Sequence, residues 1–275
     1  MKNLWLVPSL SLLCCLPGSA ADSLTYVDLL KRLTDLERLA VLPAEGERCE
    51  QWSSYDRASK YNEATGKYEK WDANGDGGGT IRREGTNFVF AEMQGPGCIW
   101  RIWSARPEKG RVWIYLDGAS EPVVDLPFIG YFDKKNEPFT RSALVHTVAM
   151  GWNNYTPVPY QKSCKIVAEK GWGAYYQFVY TTYPKGTQVP TFKRQLSAEE
   201  NAALDEADRI LGHGGPASAR TNDVPFRREF VIEPGQEITG SWRGPAAFRA
   251  LRCKPELPTS PQDRDVLREL TLQIR

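Results

Sequence analysis

Gly95-Pro96-Gly97-Cys98-Ile99-Trp100-Arg101-Ile102-Trp103-Ser104, followed by Val112-Trp113-Ile114-Tyr115-Leu116 and Asp117-Gly118, decides the fold class. A turn tripeptide opens the stretch, two short runs rich in Ile, Val and Trp follow, and an Asp-Gly turn closes it. In the second run Val112, Ile114 and Leu116 share one side, while Trp113 and Tyr115 share the other with Arg111 and Asp117. Alternation at period two describes a strand with one buried face. Trp113 and Tyr115 then lie on the more polar face.

Working outward, the same grammar recurs at Phe88–Met93, Ala143–Ala149, Cys164–Ala168, Tyr175–Tyr183 and Phe226–Ile232. Turn signals at Gly171–Gly173, Pro184–Gly186 and Pro234-Gly235 punctuate the runs. Together they predict an all-β, antiparallel sandwich. Two segments depart from it. Tyr26, Leu29, Leu30, Leu33, Leu36 and Leu39 recur at helical spacing behind a Thr25/Asp28 capping box, predicting a helix from Thr25 to Leu39, ended by Pro43. A Ser197/Glu200 capping box predicts a second helix, Ala198 to Leu211, with an apolar stripe of Ala203, Leu204, Ala207, Ile210 and Leu211. The Gly- and Pro-rich stretch from Gly212 to Pro225 reads as a linker, in which His213 lacks the orienting partner a general base needs.

Composition narrows the function classes. The 275 residues carry 35 Lys and Arg against 34 Asp and Glu, which gives no field to hold a polyanion, so nucleic acid is excluded as a partner. A chain of this length buries roughly 70 to 75% of its unfolded surface and builds its core without cofactor or metal. Lys2, the apolar run Leu4–Leu16 and Ser19-Ala20-Ala21 read as a signal peptide over residues 1–21, too short to span a bilayer. Leu13 before Cys14 and Cys15 argues against lipid attachment. The expectation is export to the periplasm or beyond, with no stable membrane insertion.

Beyond the signal, Cys49, Cys98, Cys164 and Cys253 are too dispersed for a zinc knuckle or a redox pair. An even count in an exported chain allows two disulfides, yet Cys98 and Cys164 sit in apolar runs as small hydrophobes do, and the core reading is preferred for that pair. A faint echo of the opening stretch, Gly244–Arg252 followed by Leu270–Ile274, predicts the start of a second copy of the sandwich, incomplete at Arg275. An unfinished copy would expose strand edges and favour association.

Trp52-Ser53-Ser54-Tyr55-Asp56-Arg57, Lys70-Trp71-Asp72-Ala73-Asn74-Gly75-Asp76, Gly95–Trp103, Tyr115–Gly118 and Pro157-Val158-Pro159-Tyr160 appear in an order that resembles glycoside hydrolase family 172, formerly the domain-of-unknown-function family 2961. The resemblance implies a double jelly roll, assembly as trimers or multiples of trimers, and retaining hydrolysis of fructofuranosides or arabinofuranosides. It divides the chain into a signal peptide (1–21), an N-terminal helix (22–45), a first jelly roll (46–196), a helix and linker (197–225) and the start of a second jelly roll (226–275). The family's paired glutamates lie around a Thr-Glu-Asp-Tyr-like motif that these residues do not contain, so no catalytic residue carries over.

The candidate substrate-binding residues are Tyr55, Asp56, Arg57, Trp71, Asn74 and Asp76. Asp56 beside Arg57 offers a carboxylate and a fixed cation to sugar hydroxyls, or else a salt bridge that pins the loop to the sandwich. Asp72, Asn74, Asp76 and Gly77 copy the opening of a calcium loop, but Arg83 stands where the closing Glu belongs, and no metal is expected. A loop lining a sugar pocket, a loop that simply covers the end of the sandwich and a calcium site outside the EF-hand class all remain open. The expected partners are a glycan or oligosaccharide and further copies of the chain. A non-catalytic carbohydrate-binding or structural jelly roll is the competing class.

Overall fold

The computed structural model describes residues 23–71, 75–214, 224–233, 235–241, 243–244, 251, 254 and 270–272. The chain divides into two compact units, Met1–Ala219 and Arg220–Arg275. Within the first, α1 (Tyr26–Arg32) precedes β1 (Arg48–Ser53), β2 (Lys60–Asn62), β3 (Lys67–Glu69), β4 (Arg82–Glu84), β5 (Asn87–Gln94), β6 (Gly97–Pro107), β7 (Arg111–Leu116) and β8 (Val124–Pro127). Then come β9 (Val145–Val148), β10 (Gly151–Asn154), β11 (Val158–Tyr160), β12 (Ser163–Ala168), β13 (Gly173–Thr182) and α2 (Ala198–Gly212).

Every strand pair is antiparallel, and the strands form an all-β jelly-roll sandwich. One sheet runs β1-β13-β6-β10-β9, with β11 also on β6; the other runs β4-β5-β12-β7-β8; β2 and β3 form a hairpin outside both. The predicted alternation in β7 holds, with Val112, Ile114 and Leu116 buried and Trp113 and Tyr115 half-exposed. Phe90 of β5 stacks on Tyr176 of β13 at 4.0 Å and meets Trp172 edge-on at 4.6 Å, so aromatic rings bind one sheet to the other. Each such buried ring stabilises the fold by about 1.5–3 kcal/mol.

Both capping boxes form: Thr25 and Asp28 at α1, Ser197 and Glu200 at α2. The first helix, however, stops at Arg32 rather than Leu39. Leu29 and Leu30 are fully buried, but Leu36 and Leu39 are 55% and 82% exposed, and a new cap at Asp35 starts a separate 3-10 turn, Leu36–Ala40. The leucine period continues past the point where there is core to cover. In α2 only Leu204 and Ala207 of the stripe are buried, and Leu211 is exposed.

The run Ala143–Ala149 shortens to β9, because Ala149 and Met150 take left-handed conformations at φ 47° and 62° to turn into β10. Phe226–Ile232 forms no strand: its residues are described and none takes part in a sheet, and Val231 is 79% exposed. A strand needs a partner as well as an alternating sequence. Residues 1–21, Cys253 and most of the Gly244–Arg252 and Leu270–Ile274 echo lie outside the described residues. Among the described residues no helix is long and apolar enough to cross a membrane.

Candidate functional site

The chain leaves β1 at Ser53 and is held by Ser54, which is 5% exposed. The Ser54 N–H donates to the Tyr176 carbonyl at 3.1 Å, and the Tyr176 N–H donates to Ser54 Oγ at 3.3 Å. The Gly79 N–H reaches the Ser54 carbonyl at 3.1 Å, so the 75–79 loop lies on the same anchor. No side chain fits at Gly79, where a Cβ would come within 2.0 Å of the Tyr55 carbonyl oxygen, and one on Gly75 would press on the Asp56 side chain, 3.0 Å from Cγ. Gly79 is therefore required by close backbone approach, whereas Gly78 has open space around it. Gly77, which is buried, rests on the ring of Tyr175, itself held at φ 62°.

The structure brings Tyr55, Asp56 and Arg57 together with this loop, but Asp56 and Arg57 do not pair. Arg57 donates to the Tyr55 carbonyl at 3.2 Å and the Ser53 carbonyl at 2.8 Å, and its guanidinium lies 4.2 Å from the centre of the Tyr55 ring. The salt-bridge reading is replaced by a brace: the cation ties down two backbone carbonyls and supports an exposed aromatic ring. Asp56 Oδ1 accepts the Ala58 N–H at 2.9 Å, whereas Oδ2 is buried with no hydrogen-bond partner among the described residues. Asp56 thus faces the underside of the loop. Tyr55 and Trp71, 54% and 68% exposed, and the exposed Asp76 are the groups offered to solvent. Asn74, with Asp72, lies outside the described residues.

Burial pushes the Tyr176 phenol up to about 12, with the Arg57 guanidinium opposing the rise, and its hydroxyl donates to the Phe90 carbonyl at 3.0 Å. It is a core tyrosine. Glu84 and Glu92 both sit on Arg82 at 2.6 Å, with Lys165 2.7 Å from Glu84. Lys165 and Arg82 hold Glu84 below the usual carboxylate range, and Arg82 does the same to Glu92. A general acid needs the opposite shift, so this pair is a surface ionic network. No group of three or more His, Cys, Asp or Glu that could hold a metal gathers among the described residues.

Three features escaped the sequence reading. Tyr175 enters through its left-handed backbone, which periodicity does not show. The β2–β3 hairpin places Tyr61 and Tyr68 opposite each other with ring centres 5.1 Å apart, both exposed; the repeated Lys-Tyr at 60–61 and 67–68 was its signal. The third is Arg101, a cation inside an apolar strand, joined to Asn153 and Gln177 by hydrogen bonds of 3.0–3.2 Å.

A family model described as the GH172 first beta-sandwich domain matches residues 45–200, more than half of the chain and all of the strands above. No curated protein matches it.

Proposed function

Because the chain belongs to glycoside hydrolase family 172, we propose that it is an exported glycan-degrading protein of the retaining furanosidase type, acting on fructofuranosides or arabinofuranosides as a homo-oligomer. The observation that carries this reading is the family match over residues 45–200, within which the Tyr55–Arg57 segment and the 75–79 loop are built onto one buried anchor. Tyr55, braced from behind by Arg57, is a rigid aromatic face of the kind that stacks on a sugar ring. Asp56 positions the loop from beneath, and Trp71 and Asp76 extend the exposed surface. Export rests on the signal-like run of residues 1–21.

Retaining hydrolysis needs one carboxylate to attack the anomeric carbon and one carboxylic acid, about 5–5.5 Å away, to protonate the leaving oxygen. Glu84 and Glu92, both engaged by cations, do not fill these roles. That observation favours a second reading, in which this sandwich binds the glycan and hydrolyses nothing. Incubating the purified chain with aryl arabinofuranosides and fructofuranosides, with NMR of the released sugar, separates the two. Release with retained configuration is expected of the enzyme. Binding of furanoside oligosaccharides without release establishes the binding module, and neither binding nor release overturns the proposal.

A further inference from the structure

The outer face of the β1-β13-β6-β10-β9 sheet carries a continuous row of side chains. Ser53, Gln177, Trp103, Asn153 and His146 are successive partners in register, and Gln51, Val179 and Arg101 form the next row. The row between them, Trp52, Phe178, Ile102, Asn154 and Val145, turns toward the core, which fixes the side on which the first two lie. Neither outer row contains an acidic residue.

Arg101 is half-buried in this face. Its Nε and Nη2 donate to Asn153 Oδ1 at 3.1 and 3.0 Å, and Nη1 donates to Gln177 Oε1 at 3.2 Å. Its guanidinium carbon lies 5.7 Å from the centre of the Trp103 ring and 5.9 Å from that of Tyr155. All of these partners are neutral. Arg82, Arg111 and Arg141 each hold a carboxylate, whereas Arg101 has none within salt-bridge distance among the described residues. A guanidinium carries five N–H donors, so three bonds leave one N–H on each terminal nitrogen. Two such donors together match a carboxylate.

On the glycan-binding reading above, we propose that this face binds the carboxylate of a uronic acid residue in a glycan. Arg101 receives the carboxylate on its two remaining N–H groups, and Trp103 and Tyr155 flank the sugar ring. Gln177 Oε1 is occupied by Arg101, which leaves its amide nitrogen to donate to a hydroxyl; the Trp103 indole N–H, with no acceptor among the described residues, does the same. Charge complementarity selects an anion, and the surrounding rings and neutral donors select a sugar over an acidic peptide.

Calorimetry on the full chain with tri-galacturonate and its methyl ester tests this. The acid is expected to bind at least tenfold more tightly than the ester, with affinity falling as salt rises. Gln177→Glu places the protein's own carboxylate beside Arg101 and should abolish that preference without lowering the melting temperature. Arg101→Lys, which keeps the charge and loses the fork, should weaken uronate binding at least fivefold. Equal affinity for acid and ester, or an unchanged preference in Gln177→Glu, overturns the proposal. Neutral furanosides bound or hydrolysed with no preference for uronate would overturn this inference alone; no interaction with either class of sugar would overturn the functional reading as well. Dissociation of an oligomer by Gln177→Glu, with uronate binding absent, would assign the Arg101 donors to a second copy of the chain and overturn the uronate site.

Discussion

The backbone N–H of Lys162 donates to Asp117 Oδ1 at 2.6 Å, and through it the turn after β7 grips the turn before β12. The Ser163 N–H joins the same oxygen at 3.1 Å, the Gln161 N–H reaches Oδ2 at 3.3 Å, and the Thr191 hydroxyl donates to Oδ2 as well. Asp117 sits at φ 56°, a conformation that Asp tolerates better than most residues. One carboxylate thus holds three segments of chain together.

The first prediction concerns acid. Burial acts to raise the Asp117 carboxyl, but the Thr191 hydroxyl and the three amides outweigh it and hold it below the usual carboxylate range. A depressed folded value means that the stabilisation is complete above the unfolded value of about 3.9 and is lost as pH falls through the folded one. Asp117→Asn should cost about 1.5–3 kcal/mol at neutral pH, the range for hydrogen bonds to a charged group. Thermal melts of both proteins between pH 7 and pH 2 should show a constant gap above about pH 5 that narrows below about pH 4. A gap independent of pH would mean that the charge contributes nothing.

A second prediction concerns the fastening of α2. Arg141, whose side chain is 15% exposed, donates to Asp205 at 2.9 Å, Asn201 at 3.1 Å, Thr140 at 2.9 Å and Glu137, while Asp208 accepts the Ala143 N–H at 2.7 Å. Arg141→Met keeps the apolar stem and removes the fork. It should cost about 1–3 kcal/mol and speed amide hydrogen exchange in α2 more than in β6 or β13. Uniform exchange across the sandwich would place the loss in global stability instead.

Thiol reactivity gives a third test. Cys98 and Cys164 are buried and free, and burial pushes both thiols far above their ordinary value, whereas Cys49 is exposed. The thiolate is the reactive form. Iodoacetamide at pH 8, followed by peptide mass spectrometry, should label Cys49 within minutes and the other two only after unfolding. Early labelling of Cys164 would show that β12 opens locally.

How much of this was legible in the sequence follows from the range of each signal. Val112, Ile114 and Leu116 declare a buried face because alternation is local, and the two capping boxes declare themselves within four residues. The length of α1 was misread because Leu36 and Leu39 keep the period while the surface they would cover ends. Asp56 and Arg57 invited pairing because they are neighbours, yet consecutive side chains diverge from a chain leaving a strand, and one went under the loop while the other bonded carbonyls. The row from Ser53 to His146 was invisible for a different reason: register joins residues as far apart in the chain as Ser53 and Gln177, and no local pattern encodes it.

The last prediction separates the ligand face of the Tyr55 segment from its scaffold. Tyr55 is 54% exposed and its ring lies against the Arg57 guanidinium, a contact worth about 0.5–1 kcal/mol at an exposed position. Tyr55→Ala should therefore shift the melting temperature by only about 2–4 °C, while furanoside binding falls about three- to tenfold, the scale of one lost aromatic contact. Gly79→Ala acts from the other side, because its Cβ would come within 2.0 Å of the Tyr55 carbonyl and 2.9 Å of Arg57 Nη1. The loop must shift, so this change should cost about 1–3 kcal/mol and weaken binding as well. If Tyr55→Ala unfolds the protein, or Gly79→Ala alters stability with binding per folded molecule intact, the segment is a structural corner and the sugar lies elsewhere on the sandwich.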